Sequence, residues 1–240
     1  MNIHLECLRR TSEAFKSQKV SKRGRTTLVT SEGRACDVGR LIDYDTYLAF
    51  LARQVSPLER IFLVLGNHEF YGLSFTEAIR EARSQEAEPV LAGRLVLLDQ
   101  MRFDIPGTNV TILGCTLWTK IADHARDAVG RRVPDFRYVK RWTIDTHNAA
   151  HKADVVWLRD QIASIRAQDA ERRILIATHH APCVQGTLHP RLDNSPSDSG
   201  FATDLLREGS WCGADVWVFG HTHYSGDFEH FGVSVVSNRR

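Results

Sequence analysis

The sequence has few cysteines, no long apolar run and little net charge, and each shortage excludes a class of protein. The 240 residues include five cysteines, an odd number with no Cys-x-x-Cys pair. We therefore expect free thiols rather than a disulfide framework or a cysteine zinc site. No apolar run approaches the ~20 residues that a membrane-spanning helix needs. The formal net charge of +2 indicates no polyanionic partner.

The N-terminal residues 1–15 also lack the apolar stretch of a signal peptide, so we expect a cytoplasmic location. The composition is ordinary, with 42% hydrophobic and 25% charged residues, and it contains no low-complexity tract or internal repeat. A chain of this length can bury one large core. We therefore predict a single domain over residues 1–240.

Predicted strands and helices alternate along the chain. Apolar residues at spacings of three and four predict helices over about 41–55, after Ser74, and over 147–166. Short apolar runs rich in β-branched residues predict buried strands at 60–65, 95–98, 110–117, 172–177, 215–219 and 232–237, with a weaker one at 26–30. Continuous apolar strands need cover on both faces, so the pattern predicts an α/β fold with helices outside the sheet layers.

Three predicted strands end in residues that can bind a metal: Gly66-Asn67-His68-Glu69, Thr178-His179-His180 and Gly220-His221-Thr222-His223. Asparagine offers a neutral oxygen and histidine a ring nitrogen. Each block alone has a simpler interpretation as a polar turn or as surface histidines. Together they predict a metal site, because ligands at the same ends of neighbouring strands converge.

The spacing of the histidines within these blocks predicts which way their side chains point. In an extended segment residues i and i+2 project to the same side, so we expect His221 and His223 to face one cavity. Of His179 and His180, one could bind the metal and the other could face the substrate.

A dinuclear site also needs a bridging anionic oxygen, because two divalent ions lie only ~3.5–4 Å apart. Asp37 is the best candidate, since it precedes Gly39 and the first clear helix. Asp43 and Asp45 fall within that helix, and we interpret them as acids of its first turn.

The order Asp37, Asn67-His68, His179 and His221-x-His223 resembles the calcineurin-like metallophosphoesterase superfamily, whose pattern is D-x-H, G-D, G-N-H-[DE], H and G-H-x-H. Segments 37–45, 114–118 and 142–148 are similar to a fungal-type branch of that superfamily. The resemblance runs from about residue 36 to the end of the chain. It implies a four-layer fold in which a central β-sandwich of mixed sheets is flanked by helices.

The resemblance also implies a function and a set of metal ligands. The implied enzyme hydrolyses a phosphomonoester or phosphodiester through a dinuclear metal centre and metal-bound hydroxide. Its two divalent ions would be manganese, iron or zinc. Asp37 would bridge the ions, and the remaining ligands would be Asn67, His179 and His221 on one ion and His223 and His4 on the other.

Two further residues receive roles beside the metals. His68 would assist the leaving group as a catalytic acid. Arg40, close in sequence to Asp37, would contact the phosphate, or it is a surface arginine at a helix start. The expected partner is a phosphate-ester substrate of open identity. The oligomeric state of the protein is also open. Neither a membrane nor a nucleic acid is predicted as a partner.

The chain departs from the superfamily pattern near its start. Asn2 stands where the first block has aspartate, His4 fits that block, and Cys36 replaces the glycine before Asp37. The first strand of the domain is therefore predicted to be missing. Two explanations stay open: truncation of an active enzyme, or a catalytically impaired member that acts as a binding or regulatory module.

Two other patterns receive weaker interpretations. His147 and His151 stand four residues apart on a predicted helix, which suits either metal binding or a partly buried polar face, and we prefer the latter. A zinc-binding nucleic-acid module fits poorly, because finger spacing and a basic surface with interleaved aromatic residues are both missing.

Overall fold

The computed structural model describes residues 2–4, 26–30, 40–56, 58–187, 198–207 and 211–237, and it describes the first two ranges as backbone only. Asp37 lies outside these residues. The strands are β1 Asn2–His4, β2 Thr26–Thr30, β3 Arg60–Val64, β4 Leu95–Leu97, β5 Met101–Asp104, β6 Val110–Cys115, β7 Arg173–Thr178, β8 Val216–Phe219, β9 Gly226–His230 and β10 Val233–Ser237. The α-helices are α1 Tyr44–Val55, α2 Phe75–Glu86, α3 Arg126–Arg132, α4 Asp135–Tyr138 and α5 Ile144–Gln168.

The strands form two mixed sheets. The first has four strands in the order β1-β2-β3-β4, and the second has six in the order β5-β6-β7-β8-β10-β9. Strands β2, β3 and β4 run parallel, as do β6, β7 and β8. Strands β1, β5 and β9 pair antiparallel with their neighbours at the sheet edges. The parallel strands direct their carboxyl ends to one edge of each sheet.

The two sheets pack face to face, and helices cover their outer faces. Phe62 and Val64 of β3 pack between the sheets in one cluster with Leu175 of β7. The alternate residues Ile61 and Leu63 point to the other face, in the cluster that includes α1 and α2. This alternation is the period of a strand buried on both sides.

Helix α5 covers the opposite outer face. Its residues Leu158 and Ile162 share a cluster with Ile176 of β7 and Trp217 of β8. The order helix, sheet, sheet, helix confirms the predicted four-layer architecture. No helix within the described residues is both long and apolar enough to span a membrane.

The predicted elements are confirmed, with shifted ends. Helix α1 begins at Tyr44, so Asp43 is its N-cap residue rather than a residue inside the helix, whereas Asp45 does lie in the first turn. Helix α2 begins after Ser74, whose hydroxyl accepts from the backbone N–H of Glu77 while the Glu77 carboxylate accepts in return. This reciprocal capping box is the one that the sequence predicts.

The sequence analysis missed the short elements β1, α3, α4, β5 and β9. Strand β9 carries alternating half-buried and exposed residues, including Asp227 and Glu229, and no apolar run. It forms because every residue pairs with β10, from Gly226 against Ser237 to His230 against Val233. Pairing of this kind depends on the neighbouring strand and leaves little trace in local composition.

A polar stripe on the buried side of α5 holds the irregular segment 117–121 that follows β6. The stripe consists of His147, Asn148, His151 and Asp154. Asn148 accepts from the backbone N–H of Ile121 at 2.8 Å and donates to its carbonyl at 3.0 Å. Asp154 accepts from the backbone N–H of Leu117 at 2.9 Å. Side chains thus satisfy buried backbone groups that no strand could pair.

The two histidines of this stripe are part of the same arrangement. Nδ1 of His151 donates to the carbonyl of Trp118, and Nε2 of His147 lies 3.1 Å from the Thr119 hydroxyl. Both rings are buried. Their spacing therefore serves a buried polar helix face, in agreement with the preferred interpretation.

We predict that His147 makes the protein acid-sensitive. Burial, with the nearby His151, lowers its pKa from 6.5 to about 3. Between pH 6.5 and 3 the unfolded chain therefore binds a proton at His147 that the folded chain does not bind. The contribution of neutral His147 to the free energy of unfolding is complete above pH 6.5 and is lost as the pH falls toward 3. The slope is ~1.4 kcal/mol per pH unit for one histidine. Urea unfolding at a series of pH values should show a shallower slope in His147→Gln.

The matched control is His124→Gln, because His124 is exposed. Its unfolding free energy should follow that of the unchanged chain at each pH. Equal slopes for His147→Gln and the control would contradict the prediction.

Candidate functional site

The ends of β3, β7 and β8 meet at one edge of the sandwich. The Thr116 hydroxyl, just after β6, donates to the carbonyl of Leu65 at 2.9 Å and so joins the two sheets. The backbone N–H of His179 donates to the carbonyl of Thr116 at 3.2 Å. The backbone N–H of Gly220 donates to the carbonyl of His179 at 3.0 Å. These bonds bring the three predicted blocks together.

Three side chains from these strand ends point at one another. Nε2 of His179 lies 3.0 Å from Oδ1 of Asn67 and 3.1 Å from Nδ1 of His221. Transition metals bind such donors at ~2.1 Å, so two ligands at a right angle around one ion lie ~3 Å apart. The spacing of these atoms is therefore that of donors ready to share an ion.

The electrostatics of the two imidazoles agree with a ligand role. Burial lowers the pKa of His179 well below its ordinary range, and neighbouring imidazoles lower it further. The ring of His221 has its pKa lowered to about 3, first by burial and then by His68 and His223. Both rings are therefore neutral at pH 7, the form whose lone pair binds a metal.

The imidazole of His179 lies directly against the backbone of Gly66. A Cβ at Gly66 would lie 2.4 Å from Cε1 of His179, closer than any real contact. Only glycine leaves room for the ring there. The glycine of this block therefore provides space for a ligand from another strand.

His180 forms a third corner of the cluster. Among the described residues, His179, His180 and His221 form a group in which one ring nitrogen from each residue lies within 4.8 Å of those from the other two. Nδ1 of His180 lies 3.3 Å from the carbonyl of Thr116, and its buried Nε2 has no hydrogen-bond partner among the described residues. Its ring packs 5.3 Å from that of Trp118, which links the site to the segment held by α5.

The other predicted residues lie around this buried group. His68 is exposed on the same turn as Asn67, and its ring lies 4.8 Å from that of Tyr71. Partial burial lowers the pKa of His68, whereas the charge of Asp135 opposes that shift and Arg40 adds to it. The exposed Arg40 therefore lies within electrostatic range of His68, on the solvent side of the site.

The segment after β8 differs from the expected extended strand. His221 and His223 both have left-handed backbones, with φ of 64° and 53°. The prediction that His221 and His223 lie in an extended segment is therefore wrong. His221 turns into the cluster, and His223 is exposed. Such backbones cost energy in residues other than glycine and are concentrated at functional sites.

Two predicted ligands are not tested by the described side chains. Asp37 lies outside the described residues. His4 lies in β1, where the backbone pairs with Thr27, three residues before the end of β2 at Thr30. The roles assigned to Asp37 and His4 stay predictions.

Sequence reasoning assigned no role to three buried residues that support Asn67 and its turn. Asp135 and Tyr71 hydrogen bond the Asn67 side chain. Glu69 is fully buried, and its carboxylate accepts from the backbone N–H of Gly66 at 3.0 Å and from the Tyr47 hydroxyl at 3.3 Å. The sequence offers a signal for Glu69, because this acid directly follows Asn67-His68. It offers none for Asp135, which follows no strand.

Comparison with known proteins identifies relatives. Protein L509 of Acanthamoeba polyphaga mimivirus, named as uncharacterized, is 24% identical over 220 residues, which cover 85% of this chain and 75% of that protein. The crystal structure of phosphopantetheinyl hydrolase from Mycobacterium tuberculosis aligns with a TM-score of 0.56 at 14% identity, over 88% of this chain and 78% of that chain. At this identity the likeness shows a shared fold.

A second solved structure, a putative 5'-nucleotidase from Staphylococcus aureus in complex with alpha-ketoglutarate, aligns at 16% identity with a TM-score of 0.43. The match covers 80% of this chain and 34% of that chain. The family model of calcineurin-like phosphoesterases matches residues 29–225, well over half of the sequence. This match confirms the resemblance read from the strand-end motifs, and the chain belongs to the calcineurin-like phosphoesterase family.

Proposed function

We propose that this chain hydrolyses a phosphomonoester or phosphodiester with the help of a dinuclear metal centre. The observation that carries the proposal is the approach of Nε2 of His179 to Oδ1 of Asn67 and Nδ1 of His221, at 3.0 and 3.1 Å. A nitrogen and oxygen donor set of this kind fits zinc, iron or manganese. These three residues would hold one ion.

The second ion would be held on the solvent side of the site. His223 is exposed there, and Asp37 and His4 are its proposed partners. When bound, the two ions would polarise the phosphate ester and make a water molecule nucleophilic at neutral pH. The protein then has to orient the ester and supply a proton to the departing oxygen.

His68 is suited to supply that proton. Its ring is exposed beside Asn67, where the carboxyl group of Asp135 opposes the lowering of the His68 pKa by burial. General acids of this type contribute ~10²–10⁴-fold to the rate. Arg40, with its exposed guanidinium near His68, would bind the phosphate oxygens of the substrate.

The proposal predicts metal-dependent turnover of simple aryl phosphates. The purified chain, stripped with a chelator and reloaded with Mn²⁺, Fe²⁺ or Zn²⁺, should cleave p-nitrophenyl phosphate or its bis ester. His221→Ala and Asp37→Ala should each lower kcat/KM by more than ~100-fold, since a lost ligand costs more than a lost outer-shell partner. His124→Ala, at an exposed site, is the control.

Two results would speak against catalysis. Full activity in both ligand variants would contradict the assignment of the site. Tight metal binding without turnover of any ester, with each of the three metals, would instead favour a binding or regulatory module with the same fold.

The contact between Gly66 and His179 gives a prediction of its own. In Gly66→Ala the new methyl group must displace the imidazole, because its position lies 2.4 Å from Cε1 of that ring. We expect the affinity for Mn²⁺, measured by isothermal titration calorimetry on the stripped chain, to fall by at least ~10-fold. Gly130→Ala is the matched control, since a Cβ there meets only Ile144 at 3.4 Å. Unchanged affinity in Gly66→Ala would show that His179 does not hold the ion.

A further inference from the structure

The side chain of Asn67 lies between the candidate metal site and a buried carboxylate. Its Nδ2 donates to Oδ1 of Asp135 at 2.7 Å and to the hydroxyl of Tyr71 at 3.3 Å. That hydroxyl donates to the same Oδ1 of Asp135 at 2.7 Å. On the opposite side, Oδ1 of Asn67 faces Nε2 of His179 at 3.0 Å. The three side chains on the buried side thus form a closed ring of hydrogen bonds.

This ring permits only one orientation of the Asn67 amide. A carboxylate accepts hydrogen bonds and cannot donate them, so only the NH₂ end of the amide can face Asp135. The reversed amide would place two acceptors against each other and would turn its donor hydrogens toward the metal site. Because the oxygen is the end that can bind a metal, the carboxylate selects the productive orientation.

The backbone holds Asp135 firmly in this position. Asp135 begins α4, and the last residue of that helix and a residue just beyond it are hydrogen bonded to the turn after Asn67. The backbone N–H of Gly72 donates to the carbonyl of Tyr138, and that of Lys140 donates to the carbonyl of Leu73, both at 2.8 Å. The acid therefore belongs to a segment that is fastened to the turn which carries Asn67.

Burying the carboxylate of Asp135 at this position lowers the stability of the fold. Its side chain is fully buried, and its Oδ2 has no hydrogen-bond partner among the described residues. Within the same part of the chain no lysine or arginine forms an ion pair with it. The hydrogen bonds from Asn67 and Tyr71 offset part of the cost of burying this carboxylate, and a nearby positive charge would offset more of it. A divalent ion on the far side of Asn67 would provide that charge.

We propose that Asp135, together with Tyr71, is a positioning residue that fixes the Asn67 amide with its oxygen toward the metal. This inference rests on the proposed metal-dependent function. Asp135 acts through Asn67 and does not itself bind the ion. Outer-shell partners of this kind typically change metal affinity by ~10–100-fold.

The test measures Co²⁺ binding to the full chain after a chelator has removed bound metal. Calorimetry gives the affinity, and the visible spectrum reports the surroundings of the bound ion. We expect Asp135→Ala to weaken binding by ~10–100-fold and to change the spectrum, because the amide loses its fixed orientation. Asp135→Asn, which keeps the shape, should weaken binding less. Asp123→Asn removes the same charge at an exposed position and should leave binding unchanged.

A charge exchange separates positioning from general stability. Asn67→Asp alone sets two carboxylates against each other and should weaken Co²⁺ binding. In Asn67→Asp combined with Asp135→Asn, the new amide at position 135 can donate to the new carboxylate and leave its other oxygen free for the metal. We expect the double variant to bind Co²⁺ at least ~10-fold more tightly than Asn67→Asp. If Asp135 acted independently of the Asn67 side chain, the effects of the two substitutions on Co²⁺ binding would be additive.

The possible failures are distinguishable. If Asp135→Ala and Asp135→Asn both bind Co²⁺ as tightly as the unchanged chain does, the positioning role is overturned and the proposed function stands. If the unchanged chain binds no Co²⁺, Mn²⁺ or Zn²⁺, both the positioning role and the proposed function are overturned. Binding without ester cleavage, with the expected order of affinities, supports the positioning role and counts against catalysis alone.

Discussion

The candidate site depends on the close contact of the two sheets where β3, β6, β7 and β8 end. The imidazole of His179, from the second sheet, rests on the backbone of Gly66, from the first, in space that any Cβ would fill. The bond from the Thr116 hydroxyl to the carbonyl of Leu65 fixes the same approach one strand away. Without this contact the donors of the two sheets would lie too far apart to share an ion.

That contact explains why so many polar groups are buried in one region. The strand ends leave backbone groups unpaired, and side chains of α5 satisfy those of the segment after β6. His180 lies where this arrangement meets the site, because it touches both the carbonyl of Thr116 and the ring of Trp118. The polar residues of α5 and the candidate site are therefore connected through Trp118 and His180.

The sequence predicted the features that depend on local pattern. Apolar runs located the parallel strands, and the residues that follow them, Asn67, His179 and His221, do converge. It could not locate Asp135, whose contact with Asn67 spans 68 positions in the chain and depends on how α4 packs. It also missed the left-handed backbones of His221 and His223, since a strand followed by glycine predicts extension as readily as a turn. The position of Asp135 and the backbone conformations of His221 and His223 depend on long-range packing rather than on local sequence preference.

The charges at the site bear on which metal the proposed centre would take. The described donors Asn67, His179 and His221 are neutral at pH 7, whereas two divalent ions carry four positive charges. Imidazole donors favour zinc or iron, and hard ions such as magnesium prefer several anionic oxygens. The carboxyl group of Asp135 accepts from Nδ2 of Asn67 at 2.7 Å, and its ionised form would offset part of an ion's charge without binding the ion. Burial raises the pKa of Asp135, and the hydrogen bonds from Asn67 and Tyr71 oppose that shift. Any preference for manganese over zinc or iron would then have to come from a directly bound carboxylate, the role proposed for Asp37.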